Sequence, residues 1–289
     1  MSSLHPGIIQ ITETPRDAMQ GLTKVIATKD KVQYINLLLK CGFEMVDTGS
    51  FVSPKAVPQM ADTAEVLSML DTEHTKSKLM VIVGNSRGGV QAAAENKIHA
   101  ISFPYSVSKT FLKRNLNTTP EAAWQTVLDL KTLCDQSKKE LRIYITMAFG
   151  NPYGDDWNDE IVNREVERLY AEGIRDLVFS DVTGEGTPGN IERICSEIIN
   201  SFPGAQPGIH LHTKPDDWQE KVEAAWRGGM RNFEGALGGF GGCPMTGYEL
   251  LGNLDTYNLI DWCKTHGIST GIDENKLLEA RSFAQKILQ

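Results

Sequence analysis

His210-Leu-His212, directly after the short run Pro207-Gly-Ile, places two imidazoles two residues apart in the chain. On a strand, residues i and i+2 point to the same face, so both rings can reach one ion. Positions facing the interior of a barrel or sheet are ordinarily apolar, and two titratable rings there cost desolvation unless something binds them. A divalent metal supplies that compensation. A pair of exposed or hydrogen-bonded histidines is the alternative, and the spacing alone does not decide between them.

The elements that must position these rings can be read from the apolar pattern. Runs rich in β-branched residues predict strands near Gly7–Thr12, Glu44–Asp47, Leu79–Val83, Ala100–Phe103, Leu141–Ala148, Asp176–Phe179, Gly208–His210 and Asn232–Glu234. Segments of helical period lie between them, including Lys29–Cys41, Pro120–Ser137, Asn158–Glu172, Asn190–Phe202 and Asp216–Arg227. About eight strand–helix units in 289 residues is the pattern of a (β/α)8 TIM barrel; a doubly wound sheet is the runner-up. No linker, repeat or composition break divides the chain, so residues 1–289 are expected to be one catalytic barrel domain. After Gly271 the sequence reads as a terminal amphipathic helix, an extension that packs on the barrel or on a partner subunit.

Composition narrows the function. Forty per cent hydrophobic and 23% charged residues describe an ordinary globular chain. No window has the apolar length of a membrane span, and the start MSSLHPGIIQITETPRD resembles neither a secretory nor a transit segment. A cytoplasmic location without membrane partners is expected. The five cysteines are scattered, so reduced thiols are expected rather than a disulfide or zinc scaffold. A net charge of −8 argues against a nucleic-acid surface, while leaving room for a local basic pocket.

In a barrel the chemistry sits at the carboxyl ends of the strands. Arg16 and Asp17 follow the first predicted strand, Asp47 and Ser50 end the second, Asn85 and Arg87 follow the third, and Asp181 follows the sixth. His210 and His212 end the seventh; beyond the eighth come Gly238-Gly-Phe-Gly-Gly-Cys243-Pro and Asn253. An Asp, two His and an amide oxygen make a mixed nitrogen and oxygen site that suits Mg2+ or Mn2+ and, less well, Zn2+. Arg16 beside Asp17 reads either as a surface ion pair or, after a strand and a proline, as a buried guanidinium that stabilises an anion. Cys243 reads either as an inert buried thiol or as a thiol carried into the site by a mobile loop; four neighbouring glycines favour the second.

Six segments, Pro15-Arg-Asp-Ala-Met-Gln20, Ser50–Met60, Gly186-Thr-Pro-Gly189, His210-Leu-His212 and Gly241-Gly-Cys-Pro244 with Gly252-Asn-Leu254, together resemble the 3-hydroxy-3-methylglutaryl-CoA lyase family. The resemblance runs in order over nearly the whole chain. It implies a metal-dependent (β/α)8 lyase, in a superfamily that also contains isopropylmalate and homocitrate synthases, and cleavage of the branched 3-hydroxyacyl thioester of coenzyme A to acetyl-CoA and acetoacetate. Asp17, His210, His212 and Asn253 would be the metal ligands. Arg16, Cys243, Asp181, Asp47 and His210 would form the catalytic set, with Arg16 on the enolate oxygen and Cys243 delivering a proton. Asn85, Ser50 and Lys55 would lie near the CoA or acyl portion. A homodimer and a place in leucine breakdown are further implications.

Four positions depart from the family pattern. Asp47 stands where the family has Glu, so its contact to Arg16 is expected to need a shift or a water. Thr213 replaces an Asp after the second histidine, Val182 replaces a Thr after Asp181, and Glu234 replaces an Asp near the eighth strand. Changes around a metal alter affinity or activity, and a lost hydroxyl alters specificity. The acyl group is therefore left open. Two alternatives remain at this stage: a condensing enzyme acting on a 2-oxo acid, and a catalytically silent acyl-CoA or metal-binding protein.

Overall fold

The computed structural model describes residues 7–242 and 251–289. Its strands are β1 (Gln10–Glu13), β2 (Met45–Ser50), β3 (Lys78–Ile82), β4 (Ala100–Ser106), β5 (Glu140–Thr146), β6 (Asp176–Asp181), β7 (Gln206–Thr213), β8 (Asn232–Gly235) and the short β9 (Gly252–Asn253). Strands β1 to β8 pair in parallel in sequence order. The β6–β7 and β1–β8 pairings close the ring, and β9 lies antiparallel on β7. This is the expected (β/α)8 barrel, and each of the eight predicted strands overlaps an observed one. The helix Pro120–Ser137 has its expected bounds, and the terminal helix spans Glu274–Leu288. Among the described residues, no helix is long and apolar enough to cross a membrane.

Parallel strands covered on both faces need apolar residues outward and well-matched residues inward. Strand β4 shows the division: Ile101, Phe103 and Tyr105 join the main core beneath the helices, while Ala100 packs with Met45, Met80, Tyr144 and Val178 in a separate cluster. Below the site, polar groups bridge several strands. Arg142 of β5 donates to Asp176, to Glu234 and to Thr12, a cross-linked layer whose charges are mutually paired.

Glu13 at the end of β1 is fully buried, accepts a hydrogen bond from the Leu237 amide at 2.8 Å and meets the Thr256 hydroxyl at 2.5 Å. Burial pushes its carboxyl up to about 8, against the lowering effect of the Thr256 and Leu237 hydrogen bonds. Below an ordinary value of 4.5 both folded and unfolded chains hold the proton; between 4.5 and about 8 only the folded chain keeps it. Stability therefore falls as pH rises through that window, by up to about 1.4 kcal/mol per pH unit. Glu13→Gln keeps a carbonyl acceptor and removes the titration. Its melting temperature is expected to gain on the wild type progressively from pH 5 to pH 8, and parallel curves in thermal melts would refute the assignment.

Candidate metal centre and active site

Arg16 and Asp17 occupy the first turn of the helix Pro15–Gln20, which starts directly after the β1–helix junction at Thr14. Thr14 ties that junction to β8: its amide and its hydroxyl both donate to the Gly235 carbonyl, each at 2.9 Å. Proline at the helix start needs no amide partner and presets φ, so the two charged side chains are delivered at a defined place. Both are buried, which excludes the surface ion pair. His210 and His212 are buried on β7, which runs on to Thr213, so both rings project from the strand itself. Strand β9 pairs Asn253 with His212 and so brings a residue 41 positions later to the same point.

His210 Nε2 and His212 Nε2 lie 3.1 Å apart, and His212 Nε2 is 3.9 Å from Asp17 Oδ2. One ligand atom from each of Asp17, His210 and His212 falls within 4.8 Å of the others. Asn253 Nδ2 donates to Asp17 Oδ2 at 2.7 Å and to the Phe240 carbonyl at 2.8 Å. Asn253 Oδ1 is buried without a hydrogen-bond partner. An orphaned buried acceptor is rare in stable interiors. A carboxylate, two imidazoles and an amide oxygen supply the donor set that a divalent cation takes, so the residues fit the implied metal.

The surrounding groups tune these donors. His210 Nδ1 stands 3.0 Å from Glu234 Oε2, which leaves Nε2 for an ion, the usual carboxylate–histidine arrangement. Glu234 also accepts from Arg142 at 2.7 Å and from the Tyr144 hydroxyl at 3.2 Å. Burial disfavours the charged form of His210, but Glu234 outweighs it and raises the pKa. Burial, and then the neighbouring His210, drop His212 to about 4. Burial works against ionisation of Asp17, yet Arg16 and the two rings hold its carboxyl down at about 2. A neutral His212 and an ionised Asp17 are the forms that bind metal.

Gly241 in the glycine-rich loop packs directly on this centre. Its φ is +100°, and a Cβ would lie 2.6 Å from the Asp17 carbonyl and 2.7 Å from Asn253 Nδ2. Only glycine combines that conformation with that approach. Cys243, two residues on, lies outside the described residues.

Arg16 Nε donates to Asp47 Oδ2 at 2.8 Å and Nη1 to Asp17 Oδ1 at 2.8 Å, with Nη2 2.7 Å from Asp47. The expected need for a shift or a water is thus corrected: Asp47 reaches the guanidinium directly, because β2 carries it to the side of the helix bearing Arg16. Burial pushes the Asp47 carboxyl up to about 6, and the Arg16 charge limits the rise. Burial works against the Arg16 charge too, but Asp47 and then Asp17 outweigh it and keep the guanidinium charged.

A cavity of about 250 Å3 opens beside the metal residues, bordered by Arg16, Asp17, His210 and His212 and by Ser50, Asn85, Tyr144 and Val182. Ser50 and Asn85 border the cavity, and the side-chain oxygen of Asn85 also caps the helix Ser86–Ala94 by accepting from the Gly88 amide. Lys55 is exposed and does not border the cavity; its loop turns it to solvent. Asp47 stands behind Arg16 and does not border the cavity. Asp181 is corrected more sharply. Alternation along β6 sends Ser180 and then Val182 to the cavity and Asp181 the other way, where it accepts from the Gly186 amide at 3.0 Å and from Lys221 Nζ at 3.3 Å.

Sequence reasoning missed Lys221, Tyr144 and Glu13. Lys221 sits in the helix Trp218–Arg227, whose polar pattern resembles any solvated helix face, yet it is 2% exposed and contacts Asp181 and Asp217. Lys221→Met would leave Asp181 buried beside an apolar chain, at a cost of about 3–5 kcal/mol. A drop in melting temperature is expected, largely reversed in the Lys221→Met/Asp181→Asn double variant. Additive losses in the two single variants would count against a coupled pair.

Fold and site together define a (β/α)8 barrel with a metal-ready cluster at the carboxyl ends of its strands. The HMGL-like family is matched over residues 8–284, and the chain belongs to that family. It is 29% identical over 282 residues to the cytoplasmic 3-hydroxy-3-methylglutaryl-CoA lyase of Rattus norvegicus, covering 97% of this chain and 81% of that one. Against a hydroxymethylglutaryl-CoA lyase of Bacillus subtilis the identity is 29% over 283 residues, 98% and 94% of the two chains. Among solved structures, an Acinetobacter baumannii HMG-CoA lyase in complex with coenzyme A and 3-methylmalate superposes with a TM-score of 0.91 at 28% identity, covering 100% of this chain and 93% of the other.

Proposed function

We propose that this protein is a metal-dependent carbon–carbon lyase that cleaves 3-hydroxy-3-methylglutaryl-CoA, or a related 3-hydroxyacyl-CoA, to acetyl-CoA and an oxo product such as acetoacetate. The observation that carries the reading is the convergence of Asp17, His210 and His212 beside Arg16 at one cavity. Relatives named as lyases along nearly the whole chain support it.

Asp17, His210, His212 and Asn253 would hold the ion. When bound, Mg2+ or Mn2+ supplies Lewis acidity that lowers the pKa of the 3-hydroxyl. The hydroxyl proton leaves, the C2–C3 bond breaks, C3 becomes a ketone, and the electron pair passes to the thioester as an enolate that takes a proton at C2. Of the five N–H groups of a guanidinium, Arg16 directs three at Asp47 and Asp17, so the others can meet the enolate oxygen. Its two carboxylate partners hold it in place and keep it charged, which is the preorganisation that stabilises developing negative charge. Glu234 fixes the His210 ring. Cys243 keeps its sequence-derived role as the proton donor to C2. Ser50 and Asn85 at the cavity rim would contact the acyl-CoA. A cytoplasmic homodimer belongs to the same reading, supported for location by the name of the rat relative and open to size-exclusion measurement.

Purified protein given hydroxymethylglutaryl-CoA and Mg2+ or Mn2+ is expected to form acetyl-CoA and acetoacetate in equal amounts, as read by mass spectrometry. A chelator should stop both. Metal bound in stoichiometric amount with neither product formed would overturn the reading.

A further inference from the structure

Between β6 and the helix Pro188–Ser201, residues 182–187 fold back around one carboxylate. Asp181 Oδ2 accepts from the Gly186 amide at 3.0 Å and from Lys221 Nζ at 3.3 Å. Lys221 Nζ also reaches the Gly184 carbonyl at 3.4 Å and lies 3.2 Å from Asp217 Oδ2 at the start of its own helix. Three acceptors match the three N–H donors of an ammonium. Lys221 and Asp181 are both buried, so neither can leave the other without stranding a charge away from water.

The loop that Lys221 grips stands against a metal residue. Asp181 pairs with Leu211 in the β6–β7 register, so Val182 comes beside His212, and both border the cavity. Gly184 backs onto the same strand, where a Cβ would lie 3.9 Å from the His212 carbonyl oxygen. The Val182 backbone acts on the His212 ring as a hydrogen-bond partner that favours a proton there. His212 Nε2 faces His210 and Asp17, so that bond falls to Nδ1. In a histidine ligand, the bond made by one ring nitrogen decides which nitrogen meets the metal.

We propose that Lys221 is a positioning residue of the metal centre: it holds the loop of residues 182–186 where the Val182 carbonyl fixes the His212 ring with Nε2 toward the ion. This deepens the lyase reading and rests on it for the ion. The hold on the ring rests on the loop alone.

Two readouts follow the ion and the ring separately. Calorimetry with Mn2+ is expected to show Lys221→Met binding roughly tenfold more weakly than the wild type, the scale of a lost partner behind a metal ligand. In the Lys221→Met/Asp181→Asn variant stability returns while Mn2+ affinity stays low, because the Gly184 carbonyl is still unheld. Where Lys221→Met alone is too unstable to handle, the double variant carries both readouts. Unchanged Mn2+ affinity in the variants would overturn the proposal, as would affinity that recovers together with stability. Nitrogen-15 spectra of the metal-free protein report the ring, with the His212 signals assigned by their loss in His212→Gln. A single Nδ1–H tautomer is expected in the wild type and a mixture with Nε2–H in both Lys221 variants. A wild type that binds no Mn2+ but shows this tautomer change would sink the metal reading and leave the positioning role standing. Mn2+ binding and one tautomer common to all three proteins would do the reverse.

Discussion

His210→Ala is expected to release the metal and lower turnover by roughly three orders of magnitude or more, since it removes one of two imidazoles from a cluster of few ligands. The fold should survive. Glu234 loses its contact to His210 but keeps Arg142 at 2.7 Å and the Tyr144 hydroxyl at 3.2 Å, so no unpaired buried carboxylate is left behind. Metal content after dialysis, measured beside the far-ultraviolet spectrum and the melting temperature, checks this. A variant that is folded, metal-replete and active would show that the ion, if needed at all, is held elsewhere.

Arg16→Gln should separate chemistry from metal binding. Removing a charged donor aimed at the enolate oxygen is expected to lower kcat about 10²–10³-fold, with little change in KM and with metal retained. Arg16→Lys should rescue poorly, because a point charge cannot serve Asp47, Asp17 and substrate at once. The Gln substitution also strands Asp47, which is fully buried and is met by Arg16 through both Nε and Nη2. A stability loss of about 3–5 kcal/mol is therefore expected. The Arg16→Gln/Asp47→Asn double variant is the decisive comparison. Recovered stability without recovered kcat assigns the activity loss to the guanidinium. Recovery of both would mean that Arg16 acts only through the fold.

Much of the site is legible in the residues because its spacing is local. His210 and His212 share a face through strand geometry alone, and Arg16-Asp17 directly follows an apolar run and a proline. Asp181 shows where that kind of reading stops. A carboxylate at a strand end faces either the lumen or the helices according to register, and β6 turns this one toward Lys221. Nothing near Lys221 in the chain distinguishes it from the other charged residues of an amphipathic helix. Asp47 was placed correctly beside Arg16 but with the wrong contact, because one methylene of reach is decided by how closely β2 approaches the helix Pro15–Gln20. Tyr144 reads as an ordinary strand residue and Glu13 as one just past a strand, and burial alone gives them their character.

By itself the amino-acid sequence determined the alternation of strands and helices, hence the barrel, and the identity of the two histidines and the Arg-Asp pair at strand ends. Those properties depend on periodicity and near-neighbour chemistry, which a linear chain carries in full. Tertiary structure alone decided that β9 lays Asn253 against His212, that Gly241 closes on Asp17, and that Asp181 faces away from the cavity. Each of these joins residues distant in the chain, and their juxtaposition exists only once packing has fixed strand register and excluded water.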